Sequence, residues 1–481
     1  MRFSQNKAKK SIFIQSIFMR KSLKKIIAFA LLFCSLQTSA QIFTSTANGL
    51  LKFKEQALVT SSSQQQLNKK ANTITIDGNV KFQTMEGFGY ALTGGSASLI
   101  DQLAPAQQKA LLKEIFGKGP NDLGVSYIRI SMGASDLDAH VFSYDDLPKG
   151  TTDSALINFS LSEDTLHLIP ILKKVLAIQP GLKIMASPWS PPVWMKSNNG
   201  TMGGSLLKKY YASYANYFVK YIKAMKAKGI SISSITMQNE PEHGGNNPSL
   251  LMNSEEQKEF LRDYLGPIFQ KEKIKSEIVL FDHNADHPNY PINILDDAKA
   301  KSYAAATAFH LYLGKEEALS EVHQKHPDKK IYFTEQWTGA KGSFDGDLIW
   351  HLEHIVIGTI QNWSSLVLEW NLAANAKFEP HTPMGCTECK GAFTIQDQAI
   401  NRNVSYYIIG QISKYIKPGA IRIQSSVNNE SIKTTAFALP NGKKGLLVLN
   451  TSEQKEINLK EGLHQYHFTM PAQSASTIIW K

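Results

Sequence analysis

Eight short, largely apolar segments, each followed by a segment of helical character, occupy the middle of the chain and limit the folds open to it. Each is about four to seven residues long and ends in a polar or aromatic cluster. Apolar runs of this length that alternate with helices are typical of parallel strands. The pattern predicts an α/β fold, a closed (β/α)8 TIM barrel. The predicted strands span residues 84–89, 125–131, 183–188, 234–239, 278–282, 307–312, 331–335 and 365–371.

The clearest predicted helix lies at 205–228, where apolar and aromatic residues recur every three or four positions and so share one face. Ser205 is predicted to cap its start and Gly229 to end it. An open, doubly wound sheet is the competing fold, and it predicts a Gly-x-Gly-x-x-Gly turn after the first strand. The glycines at 87–89 and 94–95 lack that spacing, which favours the barrel. Further helices are predicted at 105–117, 163–178, 255–270 and 403–416.

The segments that flank the barrel are predicted to be all-β. After residue 420 the chain has short alternating runs with a turn signal at 440–442, and residues 73–76 and 80–82 are strand-like and could join them. The predicted organisation is therefore a signal peptide at 1–40, an N-terminal β segment at 41–82, the barrel at 83–419 and a C-terminal β domain at 420–481.

The first 40 residues have the pattern of a secretory signal peptide. They carry eight basic and no acidic residues, then an apolar run at 26–36 and the small residues Thr38, Ser39 and Ala40. Residues 19–40 alone make a complete signal, so either Met1 or Met19 could be the start. The apolar run is short for a bilayer-spanning helix, although an N-terminal anchor is the alternative. We therefore expect a periplasmic or extracellular protein with no transmembrane segment.

The signal peptide also explains the net charge. The whole chain has 52 Lys and Arg against 41 Asp and Glu, a net charge of +11. Without residues 1–40 the count is 44 against 41, a net charge of +3. Because no basic patch stands out in the remainder, no nucleic-acid partner is expected.

Two cysteines, Cys386 and Cys389, follow the predicted signal peptide with C-x-x-C spacing. They cannot complete a four-ligand zinc site, and no helical pair of histidines lies beside them. A thioredoxin-like motif would be expected early in a βα unit. In an exported protein we expect a small disulfide loop, with free thiols as the alternative.

Functional groups of a TIM barrel lie at the carboxyl ends of its strands. Here strand four ends in Asn239 and Glu240, and strand seven ends in Glu335, with Trp337 two residues later. We expect the two glutamates to converge on the barrel mouth. Other polar and aromatic candidates on or after strands two, three, six and eight are Arg129, Trp189, His310, Tyr312 and Trp370.

Two carboxyl groups among aromatic rings suit glycoside hydrolysis. One carboxyl protonates the leaving oxygen, and the other attacks the sugar or activates water. Sugar rings stack their C–H faces on aromatic side chains, and their hydroxyls bind Asn, Arg and carboxylates. Taken alone, a strand-end glutamate is usually salt-bridged or solvated and a tryptophan usually packs in the core. Their joint placement favours a carbohydrate-active enzyme.

Eight stretches of the sequence carry a resemblance to a known family. They are GFGYALTGGSA (87–97), YIRISMGASDLD (127–138), ASPWSPPVWMK (186–196), ITMQNEP (235–241), FHLY (309–312), FTEQW (333–337), EWNLA (369–373) and SYYIIGQISKYIKPGAIRI (405–423). Because these stretches follow in the family's order, the sequence resembles glycoside hydrolase family 30, the glucosylceramidase-like retaining β-glycosidases of clan A, from about residue 82 to the C-terminus. The N-E-P motif is common to the clan, whereas A-S-P-W and the last stretch are more specific.

The resemblance implies a TIM barrel with a small β-sandwich side domain formed by both termini. It implies Glu240 as the acid/base and Glu335 as the nucleophile, with Arg129 beside the nucleophile and Asn239 on the sugar 2-hydroxyl. No metal and no organic cofactor is implied, and the polar cluster at 282–287 is interpreted as a loop. The substrate-binding residues are then Arg129, Trp189, Asn239, His310, Tyr312, Trp337 and Trp370.

Two details bear on the substrate. Gly94 stands where many members have an acidic residue that grips the sugar, so this chain departs from the pattern of the ceramide-cleaving members at that position. The loop at 385–391 resembles the bacterial and fungal branch that includes β-1,6-glucanases. The leading hypothesis is an exported retaining hydrolase of β-1,6-glucan, acting through a covalent glycosyl-enzyme. The alternatives are a glucosylceramidase-type β-glucosidase or a xylan- or fucose-directed relative and, more remotely, a non-catalytic carbohydrate-binding protein.

Overall fold

Eight parallel strands close into a barrel in the computed structural model, which describes residues 40–56, 59–60, 71–462 and 464–481. Each strand pairs with its neighbours in sequence, β8 pairs with β1, and this confirms the predicted TIM barrel. The predicted signal peptide, apart from residue 40, lies outside the described residues. The strands are β1 Gly87–Ala91, β2 Tyr127–Ser131, β3 Lys183–Ser187, β4 Ser234–Thr236, β5 Glu277–Ala285, β6 Ala304–Gly314, β7 Lys330–Glu335 and β8 Ser364–Asn371.

The barrel interior changes from apolar to polar along the strands. Eight buried side chains form an inner cluster, namely Tyr127, Met185, Val279, Ala306, Ala308, Tyr332, Leu366 and Leu368. Successive side chains of a strand point to opposite faces, so the residue two positions further on returns to the same face. Two residues after Tyr127, Ala308 and Tyr332 stand Arg129, His310 and Thr334, all fully buried. The strand period therefore carries these polar groups into the barrel mouth.

Helices follow the strands, with boundaries that differ in places from the predicted ones. The helix predicted at 205–228 begins with a 3₁₀ turn at Lys208–Tyr210 and continues as Tyr211–Ala227. The predicted cap at Ser205 is wrong, because Ser205 forms an isolated β-bridge with Leu251 instead. The other α-helices are Gly94–Asp101, Pro105–Phe116, Leu168–Ile178, Ser254–Glu259, Gly266–Lys271, Asn289–Leu295, Ala298–Tyr303, Glu317–Lys325, Phe344–Trp350, Thr359–Gln361 and Val404–Ser413.

Irregular helical turns complete these segments. The π-helices Phe260–Leu265 and His351–Gly358 each lie between two of the α-helices above. Asn253 accepts a hydrogen bond from the Glu256 amide, and Glu256 accepts one from the Asn253 amide, so a capping box begins the segment at 254. The remaining 3₁₀ turns are Glu163–Thr165 and Val193–Met195. Within the described residues, no helix is both long enough and apolar enough to cross a membrane.

The flanking segments form an all-β domain, as predicted. Ten strands of the described residues make one sheet, and strands from before and after the barrel are interleaved in it. The runs predicted at 73–76 and 80–82 are parts of a single long strand. The ten strands are Gln41–Thr46, Lys54–Gln56, Val59–Thr60, Asn72–Thr84, Ile421–Val427, Ile432–Ala438, Lys444–Asn450, Lys455–Glu461, His464–Met470 and Ser474–Trp480.

The long strand Asn72–Thr84 leads directly into the barrel. Only Met85 and Glu86 separate it from β1, so the first predicted barrel strand, at 84–89, began too early. The Met85 amide donates to the carbonyl of Ala420, and the Gly419 amide donates to the carbonyl of Met85. The chain therefore enters and leaves the barrel at one point.

Strand β1 requires a glycine at position 89. A Cβ there would lie 1.8 Å from the carbonyl oxygen of Tyr127 on β2. We predict that Gly89→Ala costs about 3 kcal/mol of stability, because the Cβ would clash with backbone rather than with a movable side chain. Gly181→Ala is the control, since its Cβ would meet nothing within 4 Å, and it should change stability by less than ~0.5 kcal/mol. Urea unfolding measures both variants, and equal losses would contradict the prediction.

Candidate active site

A cavity of about 420 Å³ opens at the carboxyl ends of the barrel strands. Among the predicted site residues, those in its wall are Glu240, Tyr312, Glu335, Trp337, Trp370, Cys386 and Cys389. The two glutamates predicted from the strand ends therefore face one cavity. The sequence reasoning missed five polar residues of the same wall, namely Asp136, His243, Asn246, His283 and Asn284.

Backbone hydrogen bonds between neighbouring strand ends position Glu240. The Asn239 amide donates to the carbonyl of Pro188 at 2.8 Å, and the Glu240 amide donates to the carbonyl of Asp282 at 3.0 Å. Glu240 has a φ of +46°, in the left-handed region that a residue with a side chain seldom adopts. Such backbone strain clusters at functional sites. The turn after β4 thus aims Glu240 into the cavity with support from β3 and β5.

Arg129 organises the floor of the cavity. Its guanidinium is fully buried and donates to Glu335 at 2.6 Å, to Asn239 at 2.6 Å and to Asp282 at 2.8 Å. Since Arg129 stands on β2, one side chain links the ends of β2, β4, β5 and β7. Asn239, predicted to bind the sugar, therefore uses its carbonyl oxygen to accept from Arg129.

Two tryptophans cover the guanidinium. The Arg129 Cζ lies 4.8 Å from the ring centroid of Trp189 and 5.8 Å from that of Trp370. Both rings are almost fully buried, and Trp370 is part of the cavity wall whereas Trp189 is not. Trp189 therefore shields the guanidinium, and Trp370 presents an aromatic surface to the cavity.

Asp282 is the buried counter-ion of Arg129. It accepts hydrogen bonds from Arg129, from the hydroxyl of Ser187 at 2.8 Å and from the hydroxyl of Thr334 at 2.7 Å. Against the effect of burial, Arg129, His310 and Thr334 hold the pKa of Asp282 well below its ordinary value. The polar cluster at 282–287 was predicted to be a loop, but Asp282 and His283 belong to β5. The strand predicted at 278–282 ended too early, and extending it past residue 282 would have placed both residues at its carboxyl end.

His310 lies behind the glutamates and outside the cavity wall. The prediction that it lines the sugar subsite is therefore not matched by its position, since its side chain is fully buried. Its Nδ1 lies 3.1 Å from Glu240 Oε1, and its Nε2 lies 3.3 Å from Asp282 Oδ1. Burial opposes a charge on the imidazole, but Glu335, Asp282 and Glu240 raise the pKa of His310 to about 9. At neutral pH both ring nitrogens then donate to carboxylates.

The two glutamates have different surroundings. Glu335 accepts from the Tyr312 hydroxyl at 2.9 Å as well as from Arg129, so two donors fix its carboxylate. Burial raises the pKa of Glu335, and the charge of Glu240 adds to this against His310 and Arg129. Burial would also raise the pKa of Glu240, but His283 and His310 hold that pKa below its ordinary value.

The distance between the two carboxylates is bounded by His310. Its Nδ1 lies 3.1 Å from Glu240 Oε1 and 4.0 Å from Glu335 Oε1, so these two oxygens are at most roughly 7 Å apart. Retaining glycosidases hold their carboxyl groups about 5–5.5 Å apart, and inverting ones about 6.5–9.5 Å apart. The bound on this pair of oxygens is compatible with the separation that retention requires.

Gly94 has no room for a side chain. A Cβ there would lie 1.7 Å from Asp138 Oδ1, so Asp138 occupies that space. The carboxylate that reaches the cavity is instead Asp136, two residues earlier on the same loop. Burial and then Glu335 raise the pKa of Asp136 to about 7.

One group of described residues could hold a metal ion. Glu240, His283 and His310 bring three ligand atoms within 4.8 Å of one another. The contact between His310 and Glu240 already engages two of these atoms, and His283 Nδ1 lies 3.8 Å from Glu240 Oε1. These distances fit charge stabilisation of Glu240 by two imidazoles.

Comparison with known proteins shows what this arrangement belongs to. Residues 85–416 match the glycosyl hydrolase family 30 TIM-barrel domain, and residues 419–478 match the family's β-sandwich domain. The chain belongs to glycosyl hydrolase family 30. It is therefore an O-glycosyl hydrolase, as predicted.

Individual relatives extend over most of the chain. An endo-1,6-β-D-glucanase of Aspergillus fumigatus is 32% identical over 424 residues, which cover 82% of this chain and 84% of that protein. The lysosomal acid glucosylceramidase of Mus musculus is 28% identical over 436 residues, 85% of this chain and 83% of that protein. The solved endo-β1,6-glucanase BT3312 superposes with a TM-score of 0.84 at 35% identity, over 92% of this chain and 99% of that one.

The charge of His310 predicts the pH dependence of this family 30 enzyme. His310 holds a proton beside Glu240 and loses it as the pH rises through about 9. We therefore expect kcat/KM to fall above about pH 9. His310→Gln should lower kcat/KM by roughly 10²-fold, because general acid catalysis contributes about that much, and it should move the alkaline limb to lower pH.

The control for this pH profile is His140→Gln, since His140 is exposed and pairs with Glu163 at 3.3 Å, away from the cavity. The alkaline limb of kcat/KM in the His140→Gln variant should coincide with that of the unmodified enzyme. An unchanged limb in His310→Gln would contradict the prediction.

Proposed function

We propose that this enzyme hydrolyses β-1,6-glucan with retention of configuration at the anomeric carbon, through a covalent glycosyl-enzyme. The observation that carries the proposal is the pair of carboxylates at one cavity, one fixed by two donors and the other paired with a charged imidazole. The endo-1,6-β-D-glucanase of Aspergillus fumigatus, at 32% identity, and the endo-β1,6-glucanase BT3312, at 35% identity, support the β-1,6 linkage.

In the first step Glu335 attacks the anomeric carbon. Arg129 and the Tyr312 hydroxyl keep its carboxylate oriented towards the cavity. The other carboxyl, Glu240, protonates the leaving glycosidic oxygen. That proton comes from His310, which is charged at neutral pH and whose Nδ1 lies 3.1 Å from Glu240 Oε1. The bond from sugar to leaving oxygen breaks as the ester with Glu335 forms.

In the second step water releases the sugar. The Glu240 carboxylate takes a proton from water, and the resulting hydroxide attacks the anomeric carbon. The ester to Glu335 breaks, and the proton returns to the pair of Glu240 and His310. Arg129 stabilises the departing carboxylate through its 2.6 Å contact with Glu335. The two steps together retain the configuration.

The cavity wall suits a sugar. Trp370 and Trp337 offer aromatic faces for the ring, and Asp136 offers a carboxylate for a hydroxyl. Tyr312 is fully engaged with Glu335 and lies at the side of the nucleophile. The arrangement supports binding of a glucoside with its scissile bond between Glu240 and Glu335.

We also propose that the protein is exported, as its first 40 residues indicate. The disulfide between Cys386 and Cys389 supports this proposal, since disulfides persist in oxidising compartments. The proposed location places the enzyme outside the cytoplasm, where polymeric glucan is accessible to it.

Replacing the nucleophile tests the roles of the two glutamates. Glu335→Gln should lower kcat on pustulan, a β-1,6-glucan, by more than ~10³-fold, because the covalent step is lost. A 2-fluoro glucosyl fluoride should label Glu335 of the unmodified enzyme, and peptide mass spectrometry identifies the labelled residue. Labelling of another carboxylate would contradict the assignment. Glu369→Gln is unsuitable as a control, because Glu369 is buried in a pair with His351 and its replacement would disturb the fold. The control is Glu255→Gln, since Glu255 is exposed.

A substrate panel tests the linkage. We expect pustulan to be cleaved faster than laminarin, xylan, glucosylceramide or an aryl β-glucoside, with the α/β ratio of the first products measured by NMR. Products should appear first as the β-anomer if configuration is retained. Cleavage of xylan alone, or of glucosylceramide alone, would contradict the glucanase proposal.

A further inference from the structure

The loop that contains the disulfide packs on Asp136 from one side. The Thr382 amide donates to the backbone carbonyl of Asp136 at 2.9 Å. The Cys386 amide donates to the Asp136 carboxylate, at Oδ2, over 3.2 Å. A Cβ on Gly385 would lie 2.4 Å from the Asp136 carbonyl oxygen, so the loop approaches as closely as a glycine allows. This end of the loop therefore holds both the backbone and the side chain of Asp136.

The other end of the same loop is attached to the segment after β7, which carries the nucleophile. Cys389 forms a β-bridge with Gly339. The Ala340 amide donates to the Glu388 carbonyl at 2.8 Å, and the Lys390 amide donates to the Thr338 carbonyl at 3.1 Å. Cys389 is therefore fixed to the chain segment that follows Glu335.

The disulfide joins these two ends and is itself part of the cavity wall. Cys386 and Cys389 are bonded and both line the cavity. Cys389 is 3% exposed and packs in a cluster with Trp189 and Trp370. Thr387, between the cysteines, is exposed. The disulfide thus ties Cys386 covalently to the well-anchored Cys389.

Asp136 needs a donor in this position. It is 5% exposed and shares the cavity with Glu240 and Glu335, whose negative charges oppose its ionised form. The Cys386 amide favours that ionised form, in opposition to burial and Glu335, which raise the pKa of Asp136 to about 7. Without the amide, a carboxylate in such surroundings is more easily protonated or turned away.

We propose that the Cys386–Cys389 disulfide is a positioning element for substrate binding, which holds the Cys386 amide against Asp136 and so orients that carboxylate towards a sugar hydroxyl. The inference rests on the proposed function, since it requires a glucoside in the cavity. It assigns to the C-x-x-C motif a role in affinity for the sugar, transmitted through Asp136.

A double-mutant cycle tests this transmission. The four proteins are the unmodified enzyme, Cys386→Ser with Cys389→Ser, Asp136→Asn, and the triple variant. Loss of the disulfide should raise KM for pustulan roughly tenfold with kcat within about twofold, as expected for one hydrogen bond to a charged group. In the Asp136→Asn background the same loss should raise KM less than about twofold, because the carboxylate is already absent.

The pH profile of KM provides a second measurement, because loosening of the loop that left the Cys386 amide on Asp136 would not shift it. Because the amide lowers the pKa of Asp136 relative to burial alone, removing the disulfide should shift the KM limb that belongs to Asp136 to higher pH. Thr387→Ala is the matched control, since it lies between the cysteines and faces solvent. It should leave KM and its pH profile unchanged.

The outcomes separate this inference from the proposed function. An unmodified enzyme inactive on β-glucosides contradicts both. An active enzyme in which the disulfide variants raise KM equally in both backgrounds, or do not raise it, overturns the inference alone. Near-ultraviolet circular dichroism and the midpoint of thermal unfolding check that each variant is folded. If the double Cys→Ser variant does not fold, the folded enzyme is instead reduced with a dithiol. The dithiol gives two electrons and two protons to the Cys386–Cys389 disulfide. The protein then carries two thiols, and the reagent becomes a cyclic disulfide. KM is then measured on reduced protein in both Asp136 backgrounds.

Discussion

A guanidinium without access to water lies at the centre of the barrel mouth, and the active site is arranged to satisfy it. Arg129 contacts two carboxylates, of Asp282 and Glu335, at 2.8 Å and 2.6 Å. Burying a charge costs several kcal/mol unless it is paired and hydrogen-bonded. Asp282 receives further donors from Ser187, Thr334 and His310, so it can remain ionised at zero exposure. The interaction keeps four strand ends in a fixed relation.

The same interaction determines how two glutamates can share a small cavity. Like charges close together disfavour each other's ionised form. Arg129 on one side and His310 on the other supply positive charge, and Asp282 balances part of it. Glu335 therefore accepts hydrogen bonds from Arg129 and Tyr312, and Glu240 has a separate proton donor in His310. The chemical asymmetry between nucleophile and acid arises from which positive group each carboxylate faces.

The sequence identified site residues where an apolar strand-like run ends directly in a polar residue. Glu240 and Glu335 could be predicted, because each follows an apolar run at the end where barrels carry their functional groups. His310 was predicted to touch the sugar, yet it is in phase with Ala306 and Ala308, which face the barrel interior. Applying the period of two along β6 would have placed it inside. Asp282 escaped prediction because β5 continues past the apolar run, and Asp136 because it lies on a loop without periodicity. Long-range packing alone places such residues.

The path of the chain has a consequence for the order in which the molecule can be assembled. The long strand Asn72–Thr84 is made before the barrel, but its neighbours Ile421–Val427 and Lys455–Glu461 are made after it. Gln41–Thr46 likewise pairs with Ser474–Trp480, near the end of the chain. Lys54–Gln56 can pair with one edge of Gln41–Thr46 early in synthesis. The edges that face the late strands stay unpaired until the whole barrel has been made. Unpaired strand edges are prone to aggregation. The barrel is in this sense an insertion within the β domain, and the last sixty or so residues close a sheet that the first described residues began.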